Sequence, residues 1–210
     1  MKLQLALDTF NIDECLELLD EVHDTIDIVE VGTPFIVREG VKPVKIFKDR
    51  YPDVEVLADI KIMDGGYLEA KSALDLGADI VTVMAVTNDE TIKTVIDVTH
   101  QYGKKVLIDM MNYPDLSKGA KKFVEMGGDY ICVHTAFDTQ SETNNPIADL
   151  KVISEVIDSD HTAVAGGISL KTIDIIAKQN PAIVIVGGAI ANALDRKAMA
   201  IELKKHIEVK

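Results

Sequence analysis

The 210-residue sequence has no tryptophan, two cysteines and six prolines, and aromatic residues make up 5% of it. Cys15 and Cys132 lie far apart with no C-x-x-C pair, so neither a zinc-ribbon nor a dithiol redox motif is present. Cys132 sits in the apolar run YICVH and Cys15 in a helical pattern; both are expected as buried free thiols of a reducing compartment. Positive charge is scarce too: 22 lysines and arginines against 35 aspartates and glutamates leave a net charge of −13. Such a chain is repelled by nucleic-acid phosphates and by anionic membranes. No apolar stretch reaches the ~18 residues of a membrane span. Asp8 interrupts the N-terminal MKLQLALDTF before a signal-peptide core can form. Linkers rich in proline or serine and low-complexity segments are missing as well. These absences argue against a disulfide scaffold, a membrane protein and a nucleic-acid binder. They leave a cytoplasmic globular chain, with residues 1–210 expected as a single domain.

What is present is a regular alternation. Apolar, β-branched-rich runs recur at LQLALDT (3–9), DIVEVGT (27–33), EVLADIKI (55–62) and DIVTVMAV (79–86). KVLIDMM (105–111), YICVHTA (130–136), HTAVAGG (161–167) and AIVIVGG (182–188) follow. Such near-continuous apolarity predicts strands covered on both faces, as in a parallel sheet. Amphipathic stretches separate the runs. NIDECLELLDEV places Ile12, Leu16 and Leu19 on one helical face with Cys15 beside them. GGYLEAKSALDLGAD contributes Leu68, Ala70, Ala73, Leu74 and Leu76 before a C-cap at Gly77. DLSKGAKKFVEMGGD ends at Gly127 and Gly128, and SLKTIDIIAKQNP runs from an N-cap at Ser169 to Pro181.

The polar or glycine positions that close the runs are 8, 30, 59, 84, 109, 134, 166 and 187. Their separations range from 21 (166 to 187) to 32 (134 to 166), the length of one strand–loop–helix–loop unit. Eight such units closing on themselves make a (β/α)8 TIM barrel. An open doubly wound sheet would want a glycine-rich turn after the first strand, where this chain has LDTFNID.

A barrel carries its chemistry at the C-terminal ends of its strands. Here those ends hold Asp8, Glu30, Asp59 with Lys61, Asp109 and His134. Burying unpaired charge costs several kcal/mol, so five ionisable strand ends at one level imply groups that serve one another or a ligand. Side-chain alternation along a strand directs Asp59 and Lys61 the same way, into the barrel mouth, while Asp64 falls in the loop beyond. Asp59 and Lys61 fit either an ion pair closing the barrel top or a working pair. Glu30 and Asp59, from adjacent strands, repel unless something positive lies between them. An oxygen-only pair with room for water suits Mg²⁺, and with Lys61 beside it the site suits an enediolate. His134 is either a packed histidine or a proton carrier, and Asp109 either a structural acid or the orienter of Lys61 or His134. Gly166–Gly167 and Gly187–Gly188 end strands seven and eight, where backbone N–H groups commonly approach a phosphate; the alternative is tight turns. DTQSETNNP (138–146) is a polar loop after strand six, expected to act as a lid.

These motifs resemble a known family. ADIKIMDGG matches the D-x-K-x-x-D motif of the orotidine-phosphate decarboxylase suprafamily, and the likeness runs from LALD through VGGAI. In VEVGTPF, Glu30 stands where orotidine-phosphate decarboxylases have a lysine, so the chain resembles the metal-dependent branch. That branch holds the 3-keto-L-gulonate-6-phosphate decarboxylases and the 3-hexulose-6-phosphate synthases. The decarboxylase pattern has an arginine three residues after the strand-six histidine, another after the strand-eight glycine, and a glutamate on strand five. Here those positions are Phe137, Gly188 and Asp109, which places the resemblance on the synthase side, without an appended isomerase domain.

The resemblance implies a Mg²⁺-dependent aldol condensation of D-ribulose 5-phosphate with formaldehyde, with Mn²⁺ as a possible substitute. It implies Glu30 and Asp59 as metal ligands, Lys61 as the enediolate stabiliser and His134 as acid/base, with the remover of the carbon-1 proton left open. Asp8 and Asp109 would position substrate and Lys61, the glycines of strands seven and eight would hold the phosphate, and Asp64 would reach the neighbouring site of a homodimer. Decarboxylation of 3-keto-L-gulonate 6-phosphate and non-catalytic sugar-phosphate binding are the competing functions.

Overall fold

Alternation along each strand sorts its side chains into two apolar populations. In the computed structural model, which describes residues 1–141 and 144–208, eight parallel strands close into a barrel in sequential order. They are β1 (Lys2–Leu7), β2 (Ile28–Val31), β3 (Glu55–Ile62), β4 (Ile80–Met84), β5 (Lys105–Asp109), β6 (Tyr130–His134), β7 (Thr162–Ala165) and β8 (Ile183–Val186). Closure is made by β1 against β8, with Leu3 opposite Val184 and Leu5 opposite Val186. Leu3, Leu5, Leu7, Val29, Val31 and their equivalents belong to the large core between sheet and helices. Ile28, Leu57, Ile80, Leu107, Cys132, Ala163 and Ile183 form a second, smaller core inside the barrel. Both faces of every strand are therefore covered, which is why the runs are nearly all apolar. The (β/α)8 expectation holds, and each expected strand boundary lies within two residues of the observed one.

The helices are α1 (Ile12–Val22), α2 (Thr33–Glu39), α3 (Lys42–Arg50), α4 (Gly66–Leu74), α5 (Asp89–Gln101), α6 (Leu116–Glu125), α7 (Ile147–Ser154), α8 (Ile173–Ala177), α9 (Gly188–Ala191) and α10 (Arg196–Glu208). Among the described residues none is long and apolar enough to cross a membrane. α1 starts at a capping box in which Asn11 Oδ1 accepts from Glu14 N–H and Glu14 Oε2 accepts from Asn11 N–H, both at 3.0 Å. Its buried face is Cys15, Leu18, Leu19 and Val22, with Ile12 and Leu16 at the margin. Leu68 is not part of the packed face of α4: it is 73% exposed, beside half-exposed Met63 and Tyr67. Ser169 does not cap α8. The Ser169 carbonyl accepts from the Thr172 and Ile173 N–H groups in a turn, and the helix begins only at Ile173. Both cysteines are buried and free.

At the N-terminal floor of the barrel an aspartate recurs one residue before each of β2, β4 and β6. Asp27 Oδ2 accepts from Leu3 N–H at 2.6 Å, Asp79 Oδ2 from Val56 N–H at 3.0 Å, and Asp129 Oδ2 from Val106 N–H at 2.9 Å. Each carboxylate also meets a basic side chain: Lys204 for Asp27, Lys48 and Lys104 for Asp79, and His100 for Asp129. Before β8 the position is Ala182, which has no carboxylate; its N–H donates to the Thr162 carbonyl at 2.8 Å, as the Asp27 and Asp79 N–H groups do to the Leu3 and Val56 carbonyls.

Candidate active site

At the opposite end, polar side chains replace the apolar filling. Glu30, Asp59, Thr82 and Asp109 are buried there, at or near the C-terminal ends of β2, β3, β4 and β5. Lys61 Nζ lies 2.5 Å from Asp59 Oδ2 and 3.6 Å from Asp109 Oδ2. Asp109 Oδ2 is 2.8 Å from His134 Nδ1, and its Oδ1 accepts from Met111 N–H at 2.9 Å. A carboxylate opposite Nδ1 places the imidazole proton on that nitrogen and leaves Nε2 as the lone-pair site.

Lys61 and Asp59 do meet, but not by simple alternation. Lys61 has φ 51°, in the left-handed region, and the β3–β4 register jumps between Ala58 and Ile62. A local break in the strand turns the ammonium back onto Asp59. Thr33 Oγ1 lies 2.7 Å from both the Asp59 carbonyl and its Oδ2; with one proton it serves one acceptor at a time. Thr82 Oγ1 donates to Asp59 Oδ1 at 2.9 Å, and Gln4 Nε2 donates to Glu30 Oε2 at 2.6 Å from inside the barrel. Gly32, at the end of β2, packs against Asp8: a Cβ there would fall 2.1 Å from Asp8 Oδ1.

The charges are unbalanced. Burial and the Asp59 charge push the Glu30 carboxyl well above the usual carboxylate range, and the same two causes raise Asp8. Burial opposes the charge of Lys61, but Asp59, Asp109 and Glu30 outweigh it and hold the ammonium above the ordinary lysine range. Lys61 is thus a fixed cation and a poor base. Burial also opposes ionisation of Asp109, but His134 and Lys61 overcome it and keep the carboxyl below its ordinary value. Among the described residues no three histidine, cysteine or carboxylate groups converge closely enough to hold a metal on their own. The Glu30 and Asp59 oxygens are hard donors beside an excess of negative charge. That donor chemistry fits Mg²⁺, an ion commonly held by one or two carboxylates with substrate and water completing the shell.

Asp64 is not brought into this cluster. It is exposed, and its Oδ1 accepts from Gly65 N–H at 2.7 Å. The glycine pairs lie side by side, because Ala165 of β7 is opposite Ile185 of β8 and each pair follows shortly after. Gly166 has φ 104° and a Cβ there would sit 2.4 Å from the Thr135 carbonyl, so this backbone excludes any side chain. Gly187 links β8 to α9, which begins at Gly188. Of the loop after β6, residues 142 and 143 lie outside the described residues, so the expected lid is only partly described. The rest starts with a 3-10 turn at Phe137–Thr139, with Phe137 86% exposed, and Gln140 Nε2 donates to the Thr135 carbonyl at 3.0 Å.

Gln4, Gly32, Thr33 and Thr82 were not expected as site residues. Threonine is an ordinary strand former and glycine an ordinary turn residue, so three of them carry no signal. Gln4, a polar residue within KLQLAL, did carry one.

The comparisons agree with this architecture. A model of the orotidine 5′-phosphate decarboxylase / HUMPS family matches residues 1–203. A Bacillus subtilis (strain 168) protein named 3-hexulose-6-phosphate synthase is 45% identical over 207 residues, covering 99% of each chain. A Staphylococcus aureus (strain bovine RF122 / ET3-1) protein of the same name is 45% identical over 210 residues, covering 100% of each. The crystal structure of 3-hexulose-6-phosphate synthase from Salmonella typhimurium superposes with a TM-score of 0.95 at 44% identity, covering 99% of this chain and 98% of that one. With motif, barrel and polar mouth all in place, the chain belongs to the orotidine 5′-phosphate decarboxylase / HUMPS family.

Proposed function

We propose that the chain is a 3-hexulose-6-phosphate synthase, joining D-ribulose 5-phosphate and formaldehyde reversibly into D-arabino-3-hexulose 6-phosphate. The observation that carries this is Lys61 held between Asp59 and Asp109, with His134 on the same Asp109, in a chain matched end to end by relatives of that name.

The reaction removes a proton from carbon 1 of the ketose, leaving the electron pair in an enediolate. Carbon 1 then adds to the formaldehyde carbon as the ketone re-forms, and the formaldehyde oxygen takes up a proton. Lys61 stays charged throughout and faces the enediolate's negative oxygens. His134, with its Nδ1 proton committed to Asp109, has Nε2 for proton exchange with substrate. Asp8, across the mouth, orients the sugar hydroxyls. Gly166, Gly167, Gly187 and Gly188 offer backbone N–H groups to the phosphate, so an acidic protein holds an anion without basic side chains. Mg²⁺, or Mn²⁺, held by Glu30 and Asp59 supplies Lewis-acid stabilisation of the substrate oxygens.

Asp64 serves the neighbouring subunit's site in a homodimer. Its exposure supports this, as does the apolar surface beside it: Met63, Tyr67 and Leu68 are 49%, 50% and 73% exposed. Buried free thiols and the absence of a membrane-spanning helix among the described residues support a cytoplasmic location.

The test is formaldehyde consumption with ribulose 5-phosphate, with and without Mg²⁺. Metal-dependent loss of formaldehyde establishes the synthase. Carbon-dioxide release from 3-keto-L-gulonate 6-phosphate as the main activity would assign the sister reaction instead. Binding of sugar phosphate with no turnover in either assay would leave a non-catalytic barrel.

A further inference from the structure

The pair that defines the site depends on a strand that is out of register. β3 and β4 are aligned at Leu57 opposite Ile80 and Ala58 opposite Val81, and again at Ile62 opposite Val83. Between those points β3 advances four residues (58 to 62) while β4 advances two (81 to 83). Lys61 lies in this surplus, in a left-handed conformation that a lysine adopts rarely. Its N–H donates to Thr82 Oγ1 at 2.9 Å.

That hydroxyl has a second partner, since Thr82 Oγ1 donates its own proton to Asp59 Oδ1 at 2.9 Å. One hydroxyl proton and two lone pairs suffice for both bonds and fix their direction: proton to Asp59, lone pair to the Lys61 N–H. The other Asp59 oxygen then meets Lys61 Nζ at 2.5 Å. The result is a closed ring running from Thr82 through the Asp59 carboxylate and the Lys61 side chain to the Lys61 backbone, and back to Thr82. Thr82 is 2% exposed, so no bulk water replaces it.

We propose that Thr82 is a positioning residue: its hydroxyl holds the surplus of β3 in the conformation that sets the Lys61 ammonium against Asp59. This rests on the synthase function proposed above. Without the hydroxyl, the Lys61 N–H loses the partner it has here, the left-handed residue relaxes, and the ammonium leaves the place where the enediolate forms.

The experiment compares Thr82→Val, which keeps the shape and loses the hydroxyl, with Thr82→Ser, which keeps the hydroxyl. Steady-state formaldehyde consumption is measured with Mg²⁺, and hydrogen exchange of the Lys61 amide is followed by NMR. Thr82→Val is expected to lose about 100-fold in activity, mainly in kcat, as for a catalytic group displaced by about an ångström. Thr82→Ser should restore most of it, and the Lys61 amide should exchange fast only in the valine variant. Unchanged kcat in Thr82→Val, or equal damage in Thr82→Ser, overturns the proposal. Thr82→Ala is a second hydroxyl-free variant; loss of the fold in both it and Thr82→Val would assign the hydroxyl to stability and overturn the proposal too. If the unmodified protein consumes no formaldehyde, the synthase function fails, and amide exchange alone decides whether Thr82 holds Lys61.

Discussion

Asp109 Oδ2 and His134 Nδ1 are 2.8 Å apart, so the tautomer of the histidine is set by a buried carboxylate. Asparagine at 109 would present either an amide N–H or a weaker acceptor to Nδ1. We expect Asp109→Asn to fold and to lose roughly 10²–10⁴ in kcat, the range in which a wrong tautomer disables a catalytic histidine. A stopped assay over two decades of enzyme concentration measures it; a loss under about tenfold would show that His134 does not exchange the proton.

Glu30 is buried, and the Asp59 charge opposes its ionisation. Glu30→Gln removes that charge while keeping an acceptor for Gln4. The variant should be inactive yet more stable at pH 7 with metal chelated, with Tm rising by ~2–4 °C per kcal/mol gained. Added Mg²⁺ should raise the Tm of the unmodified protein and not that of the variant. A variant that Mg²⁺ protects equally would remove Glu30 from the metal site.

Asp59→Asn should abolish turnover with the fold intact, and Asp64→Ala should lower activity sharply. If Asp64 acts across an interface, mixed and refolded variants regain activity, because a random heterodimer holds one site with both aspartates: about a quarter of wild type by simple statistics. No recovery in a sample shown to contain heterodimers would place Asp64 within its own subunit's site or outside catalysis.

Asp79 at the barrel floor should matter to stability and not to chemistry. Its carboxylate takes Lys48, Lys104 and the Val56 N–H, and these hydrogen bonds outweigh burial and hold it below the ordinary aspartate range. A depressed folded pKa means that the contribution is present above the unfolded value and fades as pH falls through the folded one. Asp79→Ala should therefore cost about 1–3 kcal/mol at pH 7, with the difference shrinking below pH ~4 and kcat unchanged. Urea denaturation at the two pH values checks this.

Much of this molecule was legible in its sequence. Apolar runs covered on two sides and a steady spacing specify a closed parallel barrel, and charged residues at strand ends stand out because strands seldom tolerate them. What stayed hidden was local. Ser169 looks like a helix cap, yet its turn closes on Thr172 and delays α8 to Ile173. Leu68 has the spacing of a core residue but faces outward, where periodicity cannot tell one kind of apolar surface from another. The shift in β3 leaves no trace in ADIKI, because a strand register is decided by its neighbour. Thr82 therefore passed as one more β-branched residue.

The aspartates at 27, 79 and 129 tie the first strand of a pair to the second on the side away from the mouth. The strand ties at the floor and the polar cluster at the mouth thus draw on separate sets of residues. Positions such as Phe137 and Gly188, on the mouth side, take no part in those ties, so a change there leaves the folding problem as it was. The barrel floor serves as a chassis, and the strand ends and loops at the mouth carry the tool.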